Sequence, residues 1–367
     1  MKTILVTGGC GFIGRHVVEE LLQGGYDVKV LDAFLDQVHG GKEPRVPSDV
    51  RLIRGDVSDR SSVEKALEGA DGVIHLAAEV GVGQSMYEID RYVVCNDLGT
   101  AVLLQAMIDK PVARIVVASS MSVYGEGRYR SQGVDCPRVT RSPERMRAGS
   151  WNPVDANGED VEPVATDEDK PVDLASIYAL TKFVQERQCL LFAGAYPAQA
   201  VALRLFNVFG AGQALSNPYT GVLANFAARL INGHAPMIFE DGLQRRDFVH
   251  VRDVARAFRL ALEKPAAAGH VINIGSGRSY TIKAVAELLA EAMGIADRKP
   301  EILFKARAGD IRHCFADIAK ARDLLGFQPR FLLEDTLDAF VEWVRANTSV
   351  DRGSEMRQQL EARGLVS

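Results

Sequence analysis

Short apolar runs alternate with helical patterns along the first half of the chain. Runs of buried-strand character predict strands over 4–7, 28–31, 50–54, 72–75, 114–119 and 199–205. Apolar residues three and four positions apart predict helices over 13–23, 63–67, 100–108 and 175–195. The strands are apolar on both faces, which is typical of a parallel sheet covered by helices on both sides. We therefore expect an α/β fold.

The regular alternation stops after Asn207. Five further helices, separated by short β-like pieces and loops, are predicted over 221–232, 254–263, 282–293, 318–324 and 333–346. This pattern predicts a first domain over 1–207 and a smaller mixed α/β domain over 208–367, with part of 246–275 returning to the first. Beyond about Asn347 the chain turns polar, and we expect its end to be loosely attached.

One long segment, 126–170, interrupts the first domain and shows little periodicity. It holds four of the 14 prolines, ten acidic residues and seven basic residues. Loops of this length inside a compact domain are usually functional lids or disordered inserts. A solvent-exposed surface loop is an equally good interpretation of the composition.

Composition and charge exclude several classes of protein. The chain has 367 residues, of which 47% are hydrophobic and 25% charged, as in folded globular proteins. A net charge of −5 without a basic block argues against partners such as nucleic acid or an anionic membrane. The five cysteines are scattered, with no CxxC pair, so neither a disulfide framework nor a metal site is expected. No signal peptide or span of roughly 18 apolar residues is found, and we expect a cytoplasmic protein.

A glycine-rich turn links the first predicted strand to the first predicted helix. Gly8, Gly11 and Gly14 lie in the sequence TGGCGFIG at 7–14. Glycine lets the chain turn tightly and lets a pyrophosphate approach the backbone, while the helix N-terminus favours its charge. This arrangement predicts a Rossmann-type, dinucleotide-binding domain over 1–207.

Two aspartates follow strands of this predicted domain. Asp32 ends the second strand, where a carboxylate can bind the ribose hydroxyls of NAD and repel the 2′-phosphate of NADP. The alternative is an aspartate that merely caps the strand end. Asp56 follows the third strand and could reach the adenine, although a turn-forming aspartate would look the same. NAD is therefore the predicted cofactor.

Tyr178 and Lys182 are four residues apart in the sequence YALTK, on one face of a predicted helix. A phenol with a pKa near ~10 is a poor base at neutral pH. A neighbouring ammonium group stabilises the phenolate and lowers that pKa. Such a pair is common by chance, but here it accompanies the glycine loop and the serine-rich strand end at 119–122.

Taken together, these motifs resemble the extended short-chain dehydrogenase/reductase family, in its nucleotide-sugar epimerase and dehydratase branch. The matching pieces occur in family order: TGGCGFIG at 7–14, GDV at 55–57, HLAA at 75–78, SSMSVYG at 119–125, YALTK at 178–182, RLFNVFG at 204–210 and DGLQRRDFVHVRDV at 241–254. They span nearly the whole chain, and only the insert and the C-terminal tail fall outside the resemblance.

The resemblance implies roles for individual residues. It makes Tyr178 the catalytic base, Lys182 its electrostatic partner and ribose ligand, and Ser120 the hydroxyl that orients the sugar oxygen. It implies cofactor-binding residues Gly8, Gly11, Phe12, Ile13, Gly14, Asp32, Asp56, Val57, Leu76, Ala77, Ala78 and Asn96, together with Tyr178 and Lys182. It implies substrate-binding residues Ser85, Ser120, Ser122, Tyr178, Asn207, Val222, Arg246, Arg307 and Asp310. His75 and His250 lie in apolar runs, and we interpret both as structural histidines.

The two residues after Ser120 distinguish the reactions that members of this family catalyse. Family dehydratases carry an Asp–Glu pair at positions 121 and 122, and family decarboxylases carry Glu at 122, whereas this chain has Met121 and Ser122. The resemblance then implies 4-epimerisation, in which the tyrosinate takes the 4-OH proton while hydride leaves carbon 4 for NAD. The 4-keto sugar rotates in the pocket and takes the hydride back on its other face, so NAD stays bound.

Phrases at 81–87 and 213–221, together with the insert, resemble bacterial dTDP-L-rhamnose 4-epimerases, which make dTDP-6-deoxy-L-talose. The 4-epimerases of UDP-glucose and UDP-glucuronate share the catalytic residues, so a dTDP-linked or a UDP-linked nucleotide sugar is the expected partner. An NAD-dependent reductase of the same fold and a non-catalytic NAD sensor are the further alternatives. Relatives pair through helices near 98–108 and 176–194, which implies a homodimer.

Overall fold

The structure is a computed structural model that describes residues 2–41, 43–44, 46–215, 217, 221–307, 309–347 and 351–366. Its strands are, in chain order, β1 (Thr3–Thr7), β2 (Asp27–Asp32), β3 (Arg51–Arg54), β4 (Gly72–His75), β5 (Arg114–Ser120), β6 (Arg128–Ser131), β7 (Val134–Cys136), β8 (Glu162–Val164), β9 (Gln199–Leu205), β10 (Asn207–Phe209), β11 (Met237–Ile238), β12 (Arg245–Arg246), β13 (Phe248–His250), β14 (Val271–Ile274), β15 (Tyr280–Thr281), β16 (Glu301–Ile302) and β17 (His313–Cys314).

The α-helices are α1 (Phe12–Gln23), α2 (Asp36–His39), α3 (Arg60–Leu67), α4 (Val82–Ser85), α5 (Ile89–Tyr92), α6 (Gly99–Asp109), α7 (Pro143–Arg147), α8 (Ile177–Ala195), α9 (Val222–Ile231), α10 (Val251–Glu263), α11 (Ile282–Ala292), α12 (Ala319–Leu325), α13 (Leu333–Ala346) and α14 (Gly353–Ala362). A π-helical stretch spans Val93–Leu98, and 3₁₀ turns span Met121–Tyr124 and Pro265–Ala267. In the ranges that the structure describes, no helix is long and apolar enough to cross a membrane.

The main sheet has seven parallel strands in the order β14-β9-β5-β4-β1-β2-β3. Its central strands are buried along nearly their whole length, so water does not compete for their backbone hydrogen bonds. The predicted Rossmann-type parallel sheet is therefore confirmed. The predicted strands agree with the observed ones to within a residue or two, and β14 adds a seventh.

The direction in which strands are added changes at β1. Strand β2 pairs with one edge of β1 and β4 with the other, so the loops after β1 and β4 diverge around a crevice. In open parallel sheets, ligands bind at the carboxyl ends of the strands beside such a point. The glycine loop at 8–11 follows β1 directly and lies at this position.

Alternate residues of each strand face opposite sides of the sheet and fill two separate cores. On one side, Val6 of β1 packs with Val17 of α1 and Phe258 of α10. On the other side, Leu5 packs in a core that includes Leu103 of α6. Helices α1 and α10 thus cover one face, whereas α3, α6 and α8 cover the other.

A third core lies outside the main sheet and belongs to what we call the second lobe. Side chains of α9, α11 and α13, such as Phe226, Val285 and Phe340, form this core together with Phe248 of β13. After β13 the chain leaves the second lobe and forms α10 and β14, which pack on or pair with the main sheet. It then returns to the second lobe. The second lobe therefore faces the carboxyl ends of the sheet from two chain segments.

The insert over 126–170 contains its own small sheet of three antiparallel strands, in the order β7-β6-β8. Tyr129 is only 1% exposed, and the Arg141 guanidinium pairs with the buried carboxylate of Glu240. Arg312, also 1% exposed, donates to Asn152 Oδ1 at 2.9 Å and to Glu240 Oε2 at 2.9 Å. The insert is therefore anchored to residues near β11 and β17 by buried charged groups.

The expectation that the chain is loosely attached beyond about Asn347 is wrong. Asp351 accepts a 3.2 Å hydrogen bond from Arg229, and α14 buries Met356 and Leu360 against Phe239. The segment has only a few apolar residues among many polar ones, and these two partners, Arg229 and Phe239, lie more than a hundred positions earlier in the chain. Local sequence composition therefore gave no sign of this attachment.

Candidate active site

A cavity of about 610 Å³ lies between the carboxyl ends of the main sheet and the second lobe. Most of the residues predicted to bind a cofactor or substrate line it. These are Gly8, Gly11, Phe12, Ile13, Gly14, Asp32, Asp56, Val57, Leu76, Ala77, Ala78, Ser120, Ser122, Tyr178, Lys182, Asn207, Val222, Arg246, Arg307 and Asp310. Part of the phrase at 213–221 (Ser216 and 218–220), like Ala308, lies outside the described residues.

The glycine loop is shaped by two close approaches of the backbone. Gly8 has a φ of +69°, and a Cβ there would lie 2.9 Å from the Ala77 nitrogen. A Cβ on Gly14 would lie 2.2 Å from the Gly8 carbonyl oxygen. No other residue fits at either position. The N-terminus of α1 carries no side-chain cap at Gly11, so its amide groups are left for an anion such as a dinucleotide pyrophosphate.

Asp32 caps the backbone after β2 and also borders the cavity, so its two predicted roles are compatible. Its carboxylate accepts hydrogen bonds from the Cys10 amide at 2.9 Å and the Phe34 amide at 3.0 Å, and it lines the cavity. His39 Nε2 lies 3.5 Å from the same carboxylate. The backbone contacts fix the negative charge beside the glycine loop, where it suits ribose hydroxyls and disfavours a 2′-phosphate.

Asp56 is exposed and forms a turn, accepting from the Ser58 amide at 2.8 Å and the Ser58 hydroxyl at 2.7 Å. It also lines the cavity. The turn interpretation and the cofactor interpretation are thus compatible, since only one carboxylate oxygen makes the turn contacts.

Tyr178 lies in the first turn of α8, which Ser176 caps by accepting a 3.1 Å hydrogen bond from the Ala179 amide. Burial raises the pKa of the Tyr178 phenol, and a hydrogen bond with the Ser120 side chain lowers it. Ser122 donates its hydroxyl proton to Ser120 Oγ at 2.9 Å. The structure therefore brings the predicted base and the predicted orienting hydroxyl together.

Lys182, one helical turn further along α8, is only 3% exposed. Its ammonium group donates to Gln185 Oε1 at 2.7 Å, and burial lowers its pKa to about 8. Gln185 in turn donates to Thr100 Oγ1 at 2.9 Å. Sequence reasoning missed Gln185, although its position three residues after Lys182 places it on the same face of the helix.

The two histidines are held by hydrogen bonds inside the fold. His75 bonds Thr7 Oγ1 at 2.7 Å and Thr100 Oγ1 at 2.9 Å, and burial lowers its pKa to about 3. His250 accepts from the Arg252 amide at 3.2 Å, and burial lowers its pKa to about 4. This cap explains why α10 begins at Val251 rather than at 254 as predicted.

Two predicted ligands do not line the cavity. Ser85 donates to the Val82 carbonyl at 2.7 Å and accepts from the Tyr178 amide at 3.0 Å, so its hydroxyl braces the start of α8. Asn96 accepts from the Glu79 amide at 2.7 Å and donates to Thr181 Oγ1 at 2.9 Å. Both residues are fully buried, and these contacts brace the backbone behind the cavity, which is the role that the resemblance implies for Asn96.

The second-lobe wall of the cavity carries two arginines with partners of their own. Arg246 donates to the carbonyls of Ile311 at 2.6 Å and Arg312 at 3.0 Å. Arg307 forms a bidentate pair with Asp310, at 2.8 and 3.0 Å. The two residues predicted to contact phosphate and ribose separately are thus paired with each other.

Three amide side chains of the cavity wall have a buried oxygen with no hydrogen-bond partner among the described residues. They are Asn207, Gln213 and Gln244. Buried acceptors without partners are costly, and a ligand that brings hydrogen-bond donors would satisfy them. The sequence indicated Asn207 but not the two glutamines.

Behind the serines, a buried ion pair fixes the end of β5 against α8. Glu186 accepts from the Ser119 hydroxyl at 2.7 Å and forms a bidentate pair with Arg204, at 2.7 and 3.0 Å. Arg204 lies 4.6 Å from the centre of the Tyr124 ring. The Ser119–Glu186 hydrogen bond joins the end of β5, which carries Ser120, to α8, which carries Tyr178.

Comparisons with known proteins agree with this geometry. A sequence profile described as the NAD dependent epimerase/dehydratase family matches residues 4–275. The chain is 32% identical to a dTDP-L-rhamnose 4-epimerase of Burkholderia thailandensis, over 94% of this chain and 95% of that protein.

Two solved structures are similar over nearly their full length. One is a UDP-glucose 4-epimerase of Thermotoga maritima with UDP-glucose, with a TM-score of 0.78 and 32% identity, covering 94% of this chain and 99% of that one. The other is a UDP-glucuronic acid 4-epimerase of Bacillus cereus with UDP-glucuronic acid and NAD, with a TM-score of 0.77, 28% identity and the same coverage. The chain therefore belongs to the NAD dependent epimerase/dehydratase family, as an NAD-dependent enzyme of its nucleotide-sugar 4-epimerase group.

Proposed function

We propose that this enzyme interconverts dTDP-L-rhamnose and dTDP-6-deoxy-L-talose through a 4-keto intermediate. The observation that carries the 4-epimerase chemistry is that Ser120, Tyr178 and Lys182 line the same cavity as the glycine loop. The choice of sugar rests on the similarity to the Burkholderia enzyme. We also propose that residues 1–207 bind NAD and that residues 208–367 bind the nucleotide sugar.

In this proposal Tyr178 exchanges a proton with the sugar 4-hydroxyl. Ser120 hydrogen-bonds the same oxygen and orients it, and the Lys182 cation stabilises the phenolate form of Tyr178. Bound NAD supplies the oxidation and the reduction at sugar carbon 4. A pKa of about 8 keeps Lys182 largely protonated at neutral pH, so the cation is present when the phenol has to lose its proton.

The residues after Ser120 favour epimerisation over loss of water. Met121 and Ser122 both line the cavity, and neither titrates near neutral pH. A dehydratase needs an acid and a base beside the sugar in addition to Tyr178. Simple return of hydrogen to the opposite face of the ketone needs no further acid–base group, only a pocket in which the ketone can turn.

The cationic side chains of the cavity wall favour a 6-deoxy sugar over a uronate. Among the described residues that line the cavity, the lysine and arginines are Lys182, Arg246 and Arg307. We assign Lys182 to the catalytic site and the two arginines to the diphosphate, and this leaves no guanidinium for a sugar carboxylate. The similarity to the Burkholderia enzyme points to the same dTDP-L-rhamnose substrate.

Incubation with a panel of nucleotide sugars tests the proposal. The purified enzyme, without added dinucleotide, is given dTDP-L-rhamnose, UDP-glucose or UDP-glucuronate, and the configuration at carbon 4 is determined by NMR. We expect turnover with dTDP-L-rhamnose and none in a Tyr178→Phe control. Faster turnover of a UDP-sugar would replace the proposed substrate, and a requirement for added NADH would indicate a reductase.

We further propose a homodimer formed through α6 and α8. These neighbouring helices, together with the π-helical stretch before α6, expose large apolar side chains. Examples are Leu98, Ile108 and Leu191. Asp97 and Gln188, on the same elements, each have a buried oxygen without a partner among the described residues. Sedimentation of the wild type as a dimer and of a Leu191→Asp variant as a monomer would support this arrangement. A cytoplasmic location stays a prediction.

A further inference from the structure

The C-terminal segment over 351–366, which we call the tail, forms part of the cavity wall. Met356 and Leu360 of α14 and Leu365 after it all line the cavity. The tail lies outside residues 4–275, the range that the family profile matches. The family profile therefore does not describe this part of the cavity wall.

Specific contacts hold the tail against both sides of the cavity. Val366 pairs through its backbone with Arg307, the residue whose guanidinium faces the cavity from the second lobe. Glu361 accepts from Lys305 at 2.8 Å. On the opposite side, the Arg363 guanidinium lies 4.3 Å from the centre of the ring of Tyr87, which lies between α4 and α5. The tail therefore bridges the sheet and the second lobe at the cavity.

Next to the tail the cavity wall combines an apolar surface with one unsatisfied acceptor. Phe239 packs against Met356 and Leu360, and the Arg307 guanidinium lies 4.5 Å from the centre of its ring. Gln244 donates its amide hydrogens to the Phe239 carbonyl at 2.7 Å, while its oxygen is buried without a partner among the described residues. A flat apolar group with a single hydrogen-bond donor fits this combination.

We propose that the tail, with Phe239 and Gln244, forms the subsite for the base of the nucleotide sugar and selects thymine. This inference rests on the proposed function, because it places the diphosphate at Arg307 and the base beyond it. Thymine and uracil both carry an N3–H donor that suits the Gln244 oxygen, whereas cytosine has an acceptor there. Only thymine has a 5-methyl group to bury against Leu360 and Leu365.

Binding of three deoxynucleoside diphosphates to the NAD-loaded enzyme tests the subsite. dTDP and dUDP differ only in the methyl group, so their affinity ratio isolates it. Burial of one methyl group predicts roughly fourfold tighter binding of dTDP. dCDP is expected to bind more weakly than dUDP, because its ring nitrogen would face the Gln244 oxygen without a hydrogen.

Variants of the tail connect this ratio to particular side chains. Leu365→Ala, at a half-buried position, and Leu360→Ala are expected to bring the dTDP-to-dUDP ratio towards one. Gln358→Ala, on the exposed side of α14, is the matched control and should leave the ratio unchanged. Because it is a ratio, this quantity does not depend on what fraction of a variant is folded.

The outcomes separate the subsite from the proposed function. Equal affinity for dTDP and dUDP in the wild type would overturn the selection of thymine. Weaker binding of both nucleotides by the same factor in the leucine variants would show that the tail only supports the fold, which also overturns the inference. Failure of the wild type to bind any of the three nucleotides would contradict the proposed function itself.

Discussion

Replacing Gln185 by Leu removes the acceptor that faces the Lys182 ammonium group at 2.7 Å. The amide oxygen stabilises the charged form of the lysine, so its loss lowers the Lys182 pKa below the value of about 8 that burial already produces. Above that pKa Lys182 is neutral and no longer stabilises the Tyr178 phenolate. We therefore expect kcat to decline at a lower pH in the variant than in the wild type.

The size of the effect follows from the strength of the lost contact. A buried hydrogen bond to a charged group contributes about 1.5–3 kcal/mol. Since 1.36 kcal/mol corresponds to one pKa unit, the alkaline limb of the kcat–pH profile should move down by roughly one to two pH units. Lys182 is only 3% exposed, so solvent does not screen the contact appreciably.

The pH dependence of kcat, followed by NMR under saturating substrate, measures this shift. Gln185→Glu is the opposing control, since a carboxylate at the same position stabilises the lysine cation and should move the limb to higher pH. NAD content of the purified variants checks that the cofactor site is intact. An unchanged alkaline limb in the Leu variant, or a shift in the same direction in both variants, would contradict the role assigned to Gln185.

Three further variants test other parts of the account. Tyr178→Phe should retain NAD but lose activity by a factor on the order of 10²–10⁴, the usual contribution of general-base catalysis, and near-normal turnover would remove Tyr178 from its role. Asp32→Ala should weaken binding of NAD and reduce discrimination against NADP, measured by titration with both dinucleotides. Arg312→Met leaves the buried Glu240 paired with Arg141 alone and removes the cation that binds Asp241, and it should lower the free energy of unfolding in urea by about 1.5–3 kcal/mol. Arg130→Gln, at an exposed ion pair, should change it by about 1 kcal/mol or less.

The parts of the site that the sequence predicts are those formed by neighbouring residues. The glycine loop needs only a strand, three glycines and a helix in succession, and Tyr178 and Lys182 share one face of α8 because they lie one helical turn apart. Asp32 is predictable because the end of a parallel strand fixes where its carboxylate lies. In each case a local pattern determines the geometry.

Other contacts depend on residues far apart in the chain, and local patterns do not indicate them. Ser85 reaches the Tyr178 amide across 93 positions, and Leu360 packs against Phe239 although the two are separated by most of the second lobe. Gln185 looks like an ordinary polar helix residue until Lys182 and Thr100 are found on either side of its amide. Such roles follow from tertiary packing, which periodicity and spacing do not report.

The most direct test of 4-epimerisation is the fate of the hydrogen at sugar carbon 4. The enzyme is given dTDP-L-rhamnose labelled with deuterium at carbon 4 in ordinary water, and in parallel the unlabelled sugar in D₂O. We expect the label to stay at carbon 4 of the product and no deuterium to enter from solvent, because the hydrogen removed from that carbon returns to it. Solvent deuterium at carbon 3 or carbon 5, or loss of the label from carbon 4, would contradict 4-epimerisation.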